Sequence, residues 1–293
     1  MGDDGASPLA EGSLTALDDN VSSSRLTEQP ATLPPAPTAR RINGERMVLF
    51  GWSRAILMQL AHPLVAAGIE EHSSFRQGPL KAASRLHQTV KAMLALTFGD
   101  AARSGVALEG IRAIHRRVHG TLVEGVGPYP AGTAYSAEDP QLVLWVHATM
   151  LDSLPLAFDQ LVRPLTREER DRYCEESAAT AIALGASAPD VPRTYAGADA
   201  YLTRTLSSGA IVVTNEARVL ANAVLRPSLH IAAGPAAAWN QLLTIGWLPQ
   251  ELRRQYGFSW SEDDERRLVR VTRRLRRVRQ LTPRRLALWR KAR

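Results

Sequence analysis

The sequence predicts an all-α protein: a single helical domain of about ten helices with essentially no sheet. Three observations carry this. From residue 41 onward, apolar residues recur with the helical period over segments of 12–22 residues. Helix-start signals stand between those segments. The β-prone runs are short, such as Ile211-Val212-Val213.

Taken in order, residues 1–39 are rich in Ser, Pro, Ala, Asp and Thr, with Pro30, Pro34, Pro35 and Pro37 close together. Such a segment cannot bury enough apolar surface to offset its ordering entropy, so a disordered tail is expected there and the domain over 40–293. Met47–Ile69 is apolar but contains Arg54 and His62, and Pro63 breaks it. It reads as buried helix rather than a membrane span. A helix around 79–98 sets Arg85 and Thr89 at i, i+4 on one flank of its apolar face. An arginine at the border of a core needs an anionic partner. A helix over 105–119 carries the stripe Ile111, Ile114, Val118. His115 falls within that stripe, and His119 lies on the polar flank beside Arg112 and Arg116.

Asp139-Pro140 combines an N-cap with a proline at the first helical position. The helix that follows, about 140–162, is apolar on all sides around His147, which places it inside the domain and makes Trp145 a core residue. Thr166-Arg-Glu-Glu169 and Ser261-Glu-Asp-Asp264 read as capping boxes, Thr214 as a cap after the β-prone run, and Thr282-Pro283 as a last cap-then-proline signal.

Of the 293 residues, 45% are apolar and 22% charged, as in a soluble globular protein. The one cysteine, Cys174, excludes an intramolecular disulfide framework and a Cys-rich zinc or iron–sulfur site. A reducing, cytoplasmic setting is expected. Acids follow Met1 and no apolar run precedes residue 46, so no secretory leader is read. The net +7 is segregated: −4 over residues 1–40, −1 over the middle, and +12 over 265–293, where thirteen bases face one acid. The basic end is a solvated helix face or a peripheral contact with an anionic membrane. Without aromatic interleaving, nucleic acid is the weakest partner for it.

Several chemistries are excluded by missing motifs. There is no Walker loop, no Gly-x-Gly-x-x-Gly, no Gly-x-Ser-x-Gly, no His-Glu-x-x-His and no Glu-x-x-His pair. Histidine remains. His62, His115 and His147 lie in apolar helical surroundings, where an imidazole is either a hydrogen-bonded core group or a ligand. One neutral imidazole in an apolar helical pocket is what a haem protein needs as axial ligand, with an arginine at the rim for a propionate. His115-x-x-x-His119 offers a metal site instead, although the two residues occupy different faces.

A set of ordered stretches makes the chain recognisable. It begins with Arg54-Ala-Ile-Leu-Met-Gln-Leu-Ala-His62-Pro-Leu-Val-Ala-Ala-Gly68 and Glu71-His72-Ser73-x-Phe75. Arg85-x-x-x-Thr89, Thr97-Phe98-Gly99 and His115-x-x-Val118-x-Gly120 follow. Tyr135-Ser136-Ala137-x-Asp139-Pro140 and Trp145-Val-His147-Ala-Thr149 complete it. In order and spacing these resemble the DUF2236 family, which includes the MpaB-type oxygenases and the catalytic domain of latex clearing protein, the rubber oxygenase. The likeness runs from about residue 43 to about 260.

The resemblance implies an all-α fold around haem b with a globin-related core. It implies His115 as the axial iron ligand, Arg85 and Thr89 as the polar pair beside the haem, and His147 as a supporting histidine. Rubber oxygenases carry a distal lysine and glutamate; that lysine has no counterpart here, Gln88 being the nearest position by spacing, and Glu70 or Glu71 falls where the glutamate is expected. Glu71, Arg85 and Thr89 are thus the candidate catalytic residues, with dioxygen and a small apolar substrate, for which an isoprenoid is the example the family offers, as reactants. A haem-binding sensor or carrier without turnover and a cofactor-free helical interaction protein are the alternatives.

Overall fold

The computed structural model describes residues 36–72, 88, 91–225 and 234–292. Thirteen α-helices lie among the described residues, more than the expected ten because several are short. They are α1 (Pro37–Asn43), α2 (Leu49–Leu60), α3 (Pro63–His72), α4 (91–98), α5 (Ala101–His115), α6 (Pro140–Leu161) and α7 (Arg167–Ala183). Then come α8 (Tyr195–Ser207), α9 (Asn215–Leu225), α10 (Pro235–Trp247), α11 (Gln250–Tyr256), α12 (Glu262–Leu281) and α13 (Arg284–Ala287). The fold is all-α, with one departure from a sheet-free molecule: β1 (His119–Thr121) pairs antiparallel with β2 (Ala134–Ser136). No helix among the described residues is long and apolar enough to cross a membrane.

The central element is α6. Asp139 caps it by accepting from the Gln141 N–H at 2.8 Å, and Pro140 fits the first turn, where no donor is needed. Its residues bury in every direction because they are apolar in every direction. On one side lies α2, so close that a Cβ on Gly51 would stand 2.5 Å from the Ser153 carbonyl oxygen; only glycine allows that approach. Arg54 of α2 is buried because its charge is answered: it meets the Asp152 carboxylate at 2.6 Å, the Ser153 Oγ at 2.6 Å and the Trp247 carbonyl at 2.7 Å. Leu57, Met58, Leu60, Trp145, Leu202, Leu220 and Leu252 form the largest core cluster. A second joins α1 to α6 and α7 through Ile42, Leu151, Leu154, Phe158 and Tyr173.

The capping boxes at Thr166 and Ser261 form as read, as does the Thr214 cap, whose Oγ1 accepts from the Ala217 N–H at 3.1 Å. Three boundaries are corrected. The helix expected over 105–119 starts at Ala101, capped by Asp100, and stops at His115, because the next residues turn into the hairpin. Ile114 consequently points to water, 51% exposed, rather than into the stripe. Thr282 does not open a helix; its Oγ1 donates back to the Val278 carbonyl and ends α12. Finally, α1 starts at Pro37 with Thr38 and Ala39 buried, so structure begins inside the segment expected to be tail. The remainder of that tail lies outside the described residues.

A clasp joins distant parts of the chain. Leu268 and Leu275 of α12 pack on Leu161 and Leu243. Arg276 donates to the carbonyls of Asp159 and Gln160 at the end of α6. Arg279 forks onto the buried Glu45 carboxylate, with Nε to Oε2 at 2.6 Å. The Trp289 N–H then donates to the Gly44 carbonyl at 3.0 Å, and Leu288 bridges to Glu45.

Candidate functional site

A cavity of about 530 Å³ lies between α1, α4, α5, α6 and α7. That is a volume typical of small-molecule sites. Met93, Leu96, Met150, Leu151 and Leu154 make its walls apolar, and Arg40, His147, Tyr173 and Glu176 bring polar atoms to it. The first set comes from α4, with Met93 and Leu96, and from the apolar α6. The second is held by cross-links: the Glu176 carboxylate accepts the Ala39 N–H at 2.8 Å and the Tyr173 hydroxyl donates to Asn43 Oδ1 at 3.0 Å. Arg40 is exposed at the cavity wall, donating to the Thr97 carbonyl at 3.1 Å and lying over the Phe98 ring.

His147 is the notable group. Its Nε2 is buried and has no hydrogen-bond partner among the described residues. Burial pushes its pKa down to about 4, so the ring is neutral at pH 7. A buried polar atom left unpaired is costly, and a ligand that takes it up removes that cost. His115 repeats the pattern at the C-terminal end of α5. It shares the buried side of α5 with Ser104 and Leu108, its Nδ1 is buried and unpartnered, and desolvation lowers its pKa against the opposing influence of Glu138. His115 does not line the cavity; His147 does.

His62 is different. Its Nδ1 accepts the Leu64 N–H and its Nε2 meets the Tyr129 hydroxyl, each at 3.3 Å, beside Trp145. It is a satisfied core histidine that caps α3. His119 sits in β1 and is exposed, as its polar flank foretold, although the element is a strand. Glu71, exposed at the end of α3, accepts a short hydrogen bond from the buried Tyr135 hydroxyl and is not part of the cavity wall. A Cβ on Gly120 would stand 2.6 Å from that hydroxyl, and one on Gly68 would stand 3.1 Å from Val118 Cγ1. Gly68, Glu71, Val118, Gly120 and Tyr135 are thus one joint, seating the hairpin on α3. Arg85 and Thr89 lie outside the described residues.

Arg40, Tyr173, Glu176, Ser177 and Thr180 were not picked out from the sequence. One signal was available: Tyr173, Ser177 and Thr180 fall at i, i+4, i+7 of α7, a polar stripe beside the buried Cys174, Ala178 and Ala181. Among the described residues, no group of three or more His, Cys, Asp or Glu is arranged to hold a metal ion.

Two curated relatives are similar over most of their length. These are the uncharacterized proteins Rv2237 of Mycobacterium tuberculosis and Mb2261 of Mycobacterium bovis. Each is 26% identical over 216 residues, 72% of this chain and 81% of the relative. No solved structure matches the chain. The family described as ER-bound oxygenase mpaB/B'/Rubber oxygenase, catalytic domain, matches residues 39–278, from the first helix at the cavity to the last turn of α12. The all-helical body with its histidine-lined apolar cavity therefore belongs to the MpaB and rubber oxygenase catalytic-domain family.

Proposed function

We propose that the chain is a haem b-dependent oxygenase acting on a small apolar substrate with dioxygen. The observation that carries this is the unpartnered, fully buried Nε2 of His147 in the wall of an apolar cavity. The residues present fit a haem. The iron brings four nitrogen ligands of its own and needs one neutral imidazole from the protein. Both His115 and His147 are neutral at pH 7, each with an unused buried nitrogen. We assign the iron to His115 on the family resemblance alone, since His115 does not line the cavity, and give His147 a supporting place in the wall of the apolar cavity. Arg40 has N–H groups left to pair with a carboxylate of the cofactor at the exposed edge.

When bound, haem b supplies the iron at which dioxygen chemistry takes place. The chain's own contribution is enclosure and orientation. Leu96, Leu151 and Leu154 exclude water and favour an apolar reactant. Tyr173 and Glu176, tied to Asn43 and Ala39, hold α1 closed over the cavity.

Reconstitution of the purified chain with haem, followed by its Soret absorbance, tests the reading. His115→Ala should lose most bound haem and His119→Ala should retain it; the reverse would overturn the assignment of the iron. No Soret band in the unmodified chain would overturn haem binding and favour the cofactor-free alternative. Product analysis under dioxygen with apolar substrates separates turnover from a sensor or carrier that binds haem and releases no product.

A further inference from the structure

We infer that the arginine face of α12, continued by α13, docks on an anionic lipid surface. This stands apart from the oxygenase reading and rests on other residues. The apolar residues that made α12 amphipathic in sequence are already used: Leu268, Leu275 and Val271 pack on the body. The helix therefore cannot lay that face on a membrane. What remains outside is the opposite face. Arg266, Arg270, Arg273 and Arg277 follow at i, i+4, i+7 and i+11, all exposed. Arg266 is answered by Glu262 and Asp263. Among the described residues Arg270, Arg273 and Arg277 form no ion pair, whereas Arg266 and Arg279 do, and no acid follows Glu265 in the sequence. Like charges at these spacings repel one another. Arg284 and Arg285 extend the exposed basic surface.

Charge alone fits any polyanion. The apolar groups set among these arginines select the lipid. Leu281, one turn beyond Arg277, is 84% exposed, and Leu286, next to Arg285, is 59% exposed. A bilayer surface receives both kinds of group: phosphates meet the guanidinium groups while the leucines enter the acyl boundary. A nucleic-acid backbone answers only the arginines.

The experiment is sedimentation of the full chain with vesicles of phosphatidylcholine alone or with added phosphatidylserine, at low and high salt. Binding only to the anionic vesicles, weakened by salt, is expected. Arg270→Gln/Arg273→Gln/Arg277→Gln should weaken that binding on the order of 100-fold, each arginine near an anionic leaflet counting for roughly fivefold. Leu281→Ser should weaken it less and leave the salt dependence unchanged. All three arginines are exposed, so thermal melts should match the unmodified chain. If the triple variant does not fold, Arg273→Gln alone with the salt titration carries the test. Equal recovery in the supernatant with both lipids overturns the inference. So does binding to duplex DNA that exceeds vesicle binding and ignores Leu281→Ser.

Discussion

Two buried histidines meet the same helix and live differently. His62 lies against Trp145 of α6, and His147 stands two residues further along α6 itself. Burial pushes both pKa values down to about 4. Yet both nitrogens of His62 have partners, in Leu64 and Tyr129, whereas Nε2 of His147 has none. Depth and titration therefore do not separate the two imidazoles. The account of their hydrogen bonds does.

The largest expected effect tests what the two share. Unfolded, each ring has a pKa near 6.5; folded, near 4. Between these values the unfolded chain takes up protons that the folded chain refuses. Stability is intact above pH 6.5 and falls as pH drops toward 4, at roughly 1.4 kcal/mol per pH unit for each histidine. Urea midpoints of the cofactor-free protein across that window measure it, and a flat profile breaks the shared part of the comparison. The second effect concerns His62 alone. His62→Ala removes two hydrogen bonds and opens a void, and should cost about 2–4 kcal/mol in the same urea assay.

The third has the opposite sign. His147→Leu removes an unpaired buried polar atom, so the cofactor-free protein should gain about 1 kcal/mol while haem retention falls. A loss of stability like that of His62→Ala would make the two sites alike. The smallest effect sharpens the first site: Tyr129→Phe leaves the His62 ring packed but takes one partner away, and should cost about 0.5 kcal/mol with haem content unchanged.

What could be read from the sequence followed the range of the forces involved. The caps at Asp139, Thr166 and Ser261 act over three residues, so their letters suffice. The burial of His147 was legible because α6 is apolar all round. The end of α5 was not. Ile114 and Val118 continue the stripe on paper, but His119–Thr121 pair with Ala134–Ser136 across a long loop, and that non-local ladder overrides the local period. The cavity wall was hidden for the same reason: Glu176 reaches Ala39 from 137 residues away. The pair at Arg85 and Thr89 lies outside the described residues, and Glu71, singled out for catalysis, is engaged with Tyr135 in the joint between α3 and the hairpin.

The clasp between Glu45 and Arg279 has a consequence for how the protein is made. The two residues are 234 positions apart. At ribosomal speeds of about 5–20 residues per second, Glu45 waits roughly 12–47 s for its arginine to be synthesised. Throughout that time its carboxylate lacks the charge that makes its burial tolerable. The edge at Gly44 and Glu45, next to the helix that supplies Arg40 to the cavity, is therefore among the last to set. A nascent chain cannot lock this edge until the residue 234 positions beyond Glu45 has been made.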